Sequence, residues 1–104
     1  MNGTELITAE RERQINKEKW DSSHDDVLEN CELCLFGACY ALDVAGKHGK
    51  ASISWRLDYQ ETAKRLFPFD MEWWKPTPDD PIKQLTKAGA LIAAEIDRLQ
   101  RVKK

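Results

Sequence analysis

The chain has 104 residues, in which 16 basic side chains nearly balance 18 acidic ones. This length suits one small domain with a limited core, and the near-zero net charge excludes the general basic surface that nucleic-acid binding requires. The longest uncharged apolar run, residues 33–42, is about half of the roughly 20 residues that span a bilayer, and no signal-like segment precedes it. We therefore expect one domain over residues 1–104 that lies in the cytoplasm and binds neither nucleic acid nor membranes.

The N-terminal half predicts two helices separated by a loop. Residues 4–19 are rich in good helix formers with alternating charges, which is typical of a surface helix. Residues 20–26 contain Asp-Ser-Ser-His-Asp-Asp, whose side chains compete for backbone hydrogen bonds and favour a loop. Residues 28–45 are nearly apolar all round from Leu33 onward, which predicts the central core helix, and Gly46 stands where a left-handed C-cap residue ends such a helix.

The third quarter of the chain predicts little regular structure. Residues 47–54 hold two glycines and Ser-Ile-Ser-Trp, which permits a short extended piece. Residues 58–66 predict a short helix that Pro68 stops, because the residue before proline is pushed out of the helical region. An aromatic and proline-rich turn follows, formed by Phe67, Phe69, Trp73, Trp74, Pro76 and Pro78.

The last helix is the best-specified element of the sequence. Asp80 as N-cap and Pro81 at the first helical position predict a helix that runs to about Arg101. Its apolar residues recur at steps of three and four and so form one stripe: Ile82, Leu85, Gly89, Ile92, Ile96 and Leu99. Gly89 costs about 1 kcal/mol relative to alanine, so we expect a close helix crossing there, within the monomer or in a homo-oligomer. The predicted fold is an all-α bundle of three main helices and one short helix, with a Trp/Pro-rich turn.

An acidic stretch over residues 21–32 is the first candidate for chemistry, since it carries His24 and five carboxylates without a lysine or arginine. Carboxylate oxygens suit magnesium, manganese or calcium, but acidic residues also simply stabilise a helix N-terminus. The Glu29-x-x-Glu32 pair resembles half of the metal motif of MazG-type nucleotide pyrophosphohydrolases. The second half departs from that motif, because Glu95 is followed three residues later by Arg98.

Three cysteines and one glutamate of the central helix allow two interpretations each. Cys31 and Cys34 have the spacing of zinc knuckles and thiol redox proteins, but no second pair follows, so we expect them and Cys39 to be reduced, buried thiols without a metal or cofactor. Glu32 has apolar neighbours on its helical face, which predicts a buried carboxylate that pairs with a basic side chain or contacts a ligand.

Four tryptophans are many for so short a chain. Beside Arg11, Arg56 or Lys75 they can stack on a nucleobase, or they can fill the interior. We predict that the ligand-facing residues are Arg11, Trp20, His24, Asp26, Trp73, Trp74 and Lys75.

Motifs along most of the chain resemble a family of small phage and prophage proteins whose biochemical role is not settled. They are Glu10-Arg11-Glu12-Arg13-Gln14, Trp20, His24-Asp25-Asp26, Glu32-Leu33, Ala38-Cys39-Tyr40-Ala41, Trp73-Trp74-Lys75-Pro76 and residues 87–96. The family commonly shows Gly-Trp-Thr-Pro where this chain has Lys19-Trp20-Asp21-Ser22. The resemblance implies a viral origin and a setting in the host cytoplasm.

The first third also resembles the ryanodine-receptor repeat type domain, through Arg11, Trp20 and Asp25-Asp26. Bacterial versions of that domain have been suggested to sense nucleotide-derived ligands. We therefore expect a non-enzymatic phage accessory protein that sequesters a small, nucleotide-derived signal of host defence. One alternative is an inhibitor that binds a host protein through exposed tryptophans. Another is a MazG-like metal-dependent hydrolase that uses His24, Asp25, Asp26, Glu32 and Glu95.

Overall fold

A computed structural model describes residues 1–49 and 58–102, and within those ranges the chain forms five α-helices and no strand. The helices are α1 Gly3–Asn16, α2 Ser22–Asp26, α3 Glu32–His48, α4 Tyr59–Leu66 and α5 Pro81–Val102, with one turn of 3-10 helix at Met71–Trp73. The predicted all-α bundle of three main helices and one short helix is confirmed, with α2 in addition. None of the described helices is long and apolar enough to cross a membrane.

Two boundaries in the N-terminal half differ from the prediction. The expected loop at residues 20–26 contains α2, because the Asp21 carboxylate accepts a hydrogen bond from the His24 N–H at 3.1 Å and caps a helix. The central helix begins at Glu32 rather than at residue 28, because Cys31 takes a left-handed conformation with φ of 61°.

Gly46 does not end the central helix, which continues to His48. Its role is in packing, since a Cβ at position 46 would lie 3.0 Å from the backbone nitrogen of Gln60 and from the Cβ of Tyr59. The missing side chain therefore lets α4 approach α3 closely. Residues 47–54 were predicted only to permit a short extended piece. Lys47 and His48 are helical, Gly49 is the C-cap, and the remainder lies outside the described ranges.

The core lies between α3 and α5 and continues to α4 and the aromatic turn. α3 packs on both α4 and α5, while α1 and α2 also pack on α5. The buried core residues are Leu33, Phe36, Cys39, Tyr40, Ala63, Phe67, Ala88, Leu91 and Ala94. As predicted, Asp80 caps α5, because its carboxylate accepts a hydrogen bond from the Lys83 N–H at 3.0 Å, and Pro81 is the first helical residue.

Helix α5 turns most of its alanines, Leu91 and several polar residues inward and its other large aliphatic residues outward. Its buried residues include three alanines but also Gln84, Glu95 and Arg98, whereas the predicted apolar stripe faces solvent, with Ile82 66% and Ile96 53% exposed. The small side chains allow close approach to α3, and the polar ones have partners. The helix was thus predicted correctly, but its apolar stripe does not face the core.

Buried polar groups are paired across the main helix interface. The side-chain NH₂ of Gln84 donates to the Tyr40 carbonyl at 3.0 Å and to Asp43 at 2.8 Å, and its oxygen accepts from the Thr77 N–H at 2.7 Å. The buried carboxylates are those of Asp43, Asp25 and Glu95. Glu32, which was predicted to be buried, is only half-buried, because it begins α3 and accepts a hydrogen bond from the preceding turn at Asn30.

Replacing Gly37 with alanine is expected to destabilise the fold by about 1–3 kcal/mol. A Cβ there would lie 2.9 Å from the Ala88 carbonyl oxygen and 3.0 Å from Cγ1 of Ile92. The Ala88 carbonyl belongs to the backbone of α5 and can move away only if the whole helix shifts. The better helix propensity of alanine offsets only about 1 kcal/mol of this destabilisation. Urea unfolding measures the change, with Gly3→Ala as control, since nothing lies within 4 Å of a Cβ at position 3. Unchanged stability of Gly37→Ala would contradict the close packing of α3 on α5.

Candidate functional site

An open apolar cavity, the apolar recess, lies beside Trp20. Its lining residues are Trp20, His24, Leu28, Leu33, Phe36, Phe69, Trp73 and Leu91, and its volume is about 130 Å³. The rings of Trp20 and His24 stack as one wall, with centroids 5.8 Å apart and planes 13° apart. Apolar cavities of about 150 Å³ hold a benzene molecule, so this recess has the size of one aromatic ring.

A second cavity of about 140 Å³, the charged recess, adjoins the first. The two share Trp20, Phe36, Trp73 and Leu91 as lining residues. The charged recess adds Glu10, Arg13, Gln14, Glu18, Tyr40, Lys75 and Lys87. Because four residues line both of them, the two recesses lie side by side, and we call this pair the cleft, with an apolar end and a charged end.

A buried ion pair holds the wall that Trp20 and His24 form. Arg11 of α1 donates to Asp25 at 2.8 Å and to the Trp20 carbonyl at 3.1 Å, while the other Asp25 oxygen contacts Nδ1 of His24 at 2.9 Å. The chain reverses at Lys19, whose φ is 63°. This reversal brings Trp20 back against α1, so that the backbone N–H of Trp20 donates to the backbone carbonyl of Gln14 at 2.9 Å.

The opposite wall comes from the 3-10 turn and the residues after it. Trp73 is 51% exposed, and Nζ of Lys75 lies 5.6 Å from its ring centroid, in cation–π distance. Trp74 points the other way and packs on Phe67 and Tyr40, with ring centroids 5.1 Å and 5.2 Å apart. The Tyr40 hydroxyl accepts a hydrogen bond from the Lys75 N–H at 3.1 Å, which fixes the turn on α3.

Four of the seven predicted ligand-facing residues line the cleft: Trp20, His24, Trp73 and Lys75. The other three lie elsewhere. Arg11 supports the wall from behind, Trp74 belongs to the aromatic core, and Asp26 is exposed and pairs with Arg101 at 2.6 Å. The remaining tryptophan and Arg56 fall outside the described ranges.

Sequence reasoning missed the charged side of the cleft. Glu10, Arg13 and Gln14 stand three and four residues apart on α1, which was a readable sign of a shared face. Their meeting with Lys87 joins α1 to α5 across more than 70 residues, and no local pattern encodes it. The apolar recess likewise gains Phe36, Phe69 and Leu91 from three separate segments.

The charges in the charged recess act on one another. Arg13 donates to Glu10 at 2.7 Å and 2.9 Å and to Glu18 at 3.0 Å. Burial raises the pKa of Glu10, but hydrogen bonds from Arg13 and Gln14 and the charge of Lys87 outweigh it, so this pKa is lower than usual. Burial, with the nearby charge of Lys83, lowers the pKa of Lys87. Glu10 therefore stays ionised, and Lys87 loses its proton more readily than an exposed lysine.

Gln14 brings a buried polar atom with no partner to the charged recess. The side chain is 1% exposed, and its NH₂ group donates to Glu10 at 3.3 Å. Its oxygen has no hydrogen-bond partner among the described residues. Because the ionised Glu10 carboxylate only accepts hydrogen bonds, the NH₂ group of Gln14 faces it, and the amide oxygen is the atom left without a partner.

Three of the five residues named for a metal-dependent hydrolase are engaged in ion pairs with arginines instead. Asp25 pairs with Arg11, Asp26 with Arg101, and Glu95 with Arg98. Within residues 1–49 and 58–102, no group of three or more His, Cys, Asp or Glu side chains is placed to hold a metal ion.

The cysteines were expected to be reduced and buried, and all three are free thiols. Cys39 is buried, and burial raises its pKa. Cys31 and Cys34 are exposed instead, because Cys31 precedes the first turn of α3 and Cys34 is not on the face that buries Leu33, Phe36 and Cys39.

Comparison of the chain with family models, with curated proteins and with solved structures finds no match. What the cleft can do is therefore argued from its geometry. It joins an aromatic-walled cavity the size of one ring to a charged cavity with two lysines.

Proposed function

We propose that this chain is a non-enzymatic binding protein for a small ligand of the nucleotide type. The observation that supports this proposal most strongly is that the two recesses lie side by side. The apolar recess has aromatic walls, and the charged recess next to it carries Lys75 and Lys87. Concave sites with apolar walls and a few converging polar groups are the usual places where small molecules bind.

The apolar recess suits a planar ring. Trp20 and His24 offer one aromatic face, Phe69 and Trp73 offer further aromatic surface, and stacking of a base on an aromatic side chain contributes about 1–3 kcal/mol. The Arg11–Asp25 pair already holds the Trp20 wall in place. Little ordering is then needed on binding, which favours affinity.

The charged recess suits one anionic group rather than several. Three cations face two carboxylates there, and Arg13 already pairs with both Glu10 and Glu18. Lys75 and Lys87 remain to contact an anion. A single phosphate matches this charge, whereas a triphosphate would meet repulsion from the two carboxylates. The unpartnered amide oxygen of Gln14 can accept one hydrogen bond from a hydroxyl or amino group of the ligand, not from the phosphate itself.

The biological setting follows from the resemblance to small phage proteins. In that setting the protein acts by sequestration, removing a nucleotide-derived defence signal from the host cytoplasm. Sequestration requires only that the ligand is bound and not that it is converted, so a cleft that binds the ligand is sufficient for this role.

Trp73→Ala is expected to weaken ligand binding by roughly 5- to 150-fold, because loss of one stacking partner costs about 1–3 kcal/mol and about 1.4 kcal/mol is tenfold in affinity. Calorimetry and tryptophan fluorescence against cyclic mononucleotides, cyclic oligonucleotides and ADP-ribose measure this affinity. Met71→Ala is the matched control, since Met71 lies in the same 3-10 turn with the same 51% exposure but does not line either recess. No saturable binding by the wild type to any compound would refute the proposal.

Binding is expected to weaken as the pH rises from neutral into the alkaline range. An anion prefers the charged form of Lys87, and burial lowers the pKa of this lysine, so the charge is lost at a lower pH than for an exposed lysine. The titration uses a cyclic mononucleotide, whose phosphodiester keeps one charge throughout. Lys87→Gln should remove this pH dependence, whereas Lys83→Gln, an exposed lysine of the same helix, should retain it at a somewhat higher pH, because the charge of Lys83 then no longer lowers the pKa of Lys87. A pH profile that Lys87→Gln leaves unchanged would exclude Lys87 as the anion contact.

A further inference from the structure

Helix α5 leaves a row of large aliphatic side chains in solvent, which we call the aliphatic stripe: Ile82, Leu85, Ile92, Ile96 and Leu99. Each of these residues is between 41% and 66% exposed. Lys87, which lines the charged recess, lies on the opposite side of the same helix by its 3.6-residue period. We propose that the aliphatic stripe is the contact surface between two copies of this chain, paired antiparallel through α5 about a twofold axis.

The spacing of the stripe supports pairing with itself. Together with Gly89, its positions follow steps of 3, 4, 3, 4 and 3 residues, which read the same in both directions. This is the seven-residue spacing of paired helices, and a twofold interface needs a patch that is complementary to itself. In an antiparallel pair, Ile82 therefore faces Leu99 of the partner subunit, and Leu85 faces Ile96 of the partner subunit.

The middle of the stripe is filled from α1. A Cβ at position 89 would lie 2.5 Å from Cδ1 of Ile7, so the Ile7 side chain occupies the notch that Gly89 leaves. This half-buried isoleucine makes the apolar surface continuous between Leu85 and Ile92. Antiparallel pairing sets this centre against Ile92 of the partner subunit, whereas parallel pairing would set the two Gly89 notches against each other.

The area of the stripe agrees with what a dimer needs. At about half exposure each aliphatic residue presents on the order of 100 Å², so the stripe offers roughly 500 Å² per copy. This is at the upper end of the apolar patches found on monomers. Two copies would bury roughly 1,000 Å² or more, which reaches the lower bound for specific interfaces.

Charges do not oppose antiparallel pairing along the stripe. Lys83 lies on the same side of α5 as Lys87 by the 3.6-residue period and so faces away from the stripe. Positions immediately beside the stripe, Thr86, Ala93 and Gln100, are uncharged, so no like charges meet. The opposed helix dipoles add a small favourable term.

Sedimentation velocity over the micromolar range tests the proposal. The wild type is expected to dimerise, and Leu85→Lys alone or Ile96→Glu alone is expected to weaken dimerisation at least tenfold. An equimolar mixture of the two single variants should dimerise again, because antiparallel pairing joins the new lysine to the new glutamate and leaves one Leu85–Ile96 contact intact. Val27→Lys is the matched control, since Val27 is 72% exposed and lies outside the stripe.

Circular dichroism of each variant checks that it is folded. We expect every variant to fold, because the substituted residues face solvent. A wild type that stays monomeric over the whole range would overturn the proposal. Unchanged dimerisation of both single variants would overturn it as well. If both variants dissociate but their mixture fails to associate, antiparallel pairing is excluded.

Discussion

Replacing Asp25 with alanine will lower the free energy of unfolding by about 3–5 kcal/mol. Asp25 is fully buried, and its two oxygens contact Arg11 at 2.8 Å and His24 at 2.9 Å. The Arg11 side chain is itself 12% exposed, so the variant leaves a largely buried guanidinium without its counter-charge. Urea unfolding monitored by circular dichroism measures the loss, with the m-value of the variant compared with that of the wild type.

The neighbouring residue provides the control for this prediction. Asp26 also pairs with an arginine, Arg101, but both side chains are partly in solvent. Asp26→Ala should therefore unfold almost like the wild type. Equal stabilities of the two alanine variants would mean that the Arg11–Asp25 pair is no better shielded from water than a surface pair.

The Asp25 variant also connects stability to the proposed function. Arg11 holds the Trp20 carbonyl, and Asp25 holds His24, so both side chains of one cleft wall depend on this pair. At a temperature where Asp25→Ala is still folded, ligand affinity should fall although Asp25 does not line the cleft. Unchanged affinity would show that the wall forms without the pair.

Replacing Gln84 with leucine is the second large effect, with an expected loss of about 3 kcal/mol. The change keeps the side-chain size but removes three buried hydrogen bonds, to the Tyr40 carbonyl, to Asp43 and from the Thr77 N–H. Each buried polar group left without a partner costs about 1–3 kcal/mol, and a charged group costs more. Thermal and urea unfolding measure the loss.

A second substitution separates the cost of Asp43 from that of the other two groups. Adding Asp43→Leu to Gln84→Leu removes the buried carboxylate together with its donor, and replacing both partners by apolar groups can be nearly neutral. We expect the double variant to regain part of the lost stability. Gln100→Leu, an exposed glutamine of the same helix, should change little. A double variant less stable than Gln84→Leu would show that Asp43 has a further partner.

Helix boundaries were predicted best where they depend on neighbouring residues. Asp80 and Pro81 begin α5, as the sequence predicted. An N-cap depends only on a side chain and on a backbone N–H three residues later, so it can be recognised locally. The start of α3 was missed, since nothing in the sequence distinguishes a left-handed Cys31 from a helical one. The 3-10 turn with Trp73 and Lys75 forms one wall of the cleft from adjacent residues, which is why both were among the predicted ligand-facing residues.

The orientation of α5 shows where local information ends. The 3.6-residue period of its apolar residues correctly predicted which residues share one face of the helix. The period does not show whether that face packs against another helix or lies in solvent. Gln84 turns inward because Tyr40 and Asp43, more than 40 residues earlier, supply its hydrogen bonds. The same alanines that make α5 a good helix let α3 approach, and this contact leaves the aliphatic stripe outside.

The sequence alone determined that this protein is an all-α bundle, because helix propensity, caps and a 3.6-residue period act over a few neighbouring residues. The tertiary structure decided which tryptophans face a cleft and which fill the core, and it brought Lys87 to the same cavity as Trp20 and Trp73. It also decided that α5 buries Gln84, Glu95 and Arg98 and leaves the aliphatic stripe in solvent. These outcomes depend on contacts between residues far apart in the chain. Such contacts contribute free energy only when the helices have packed against one another.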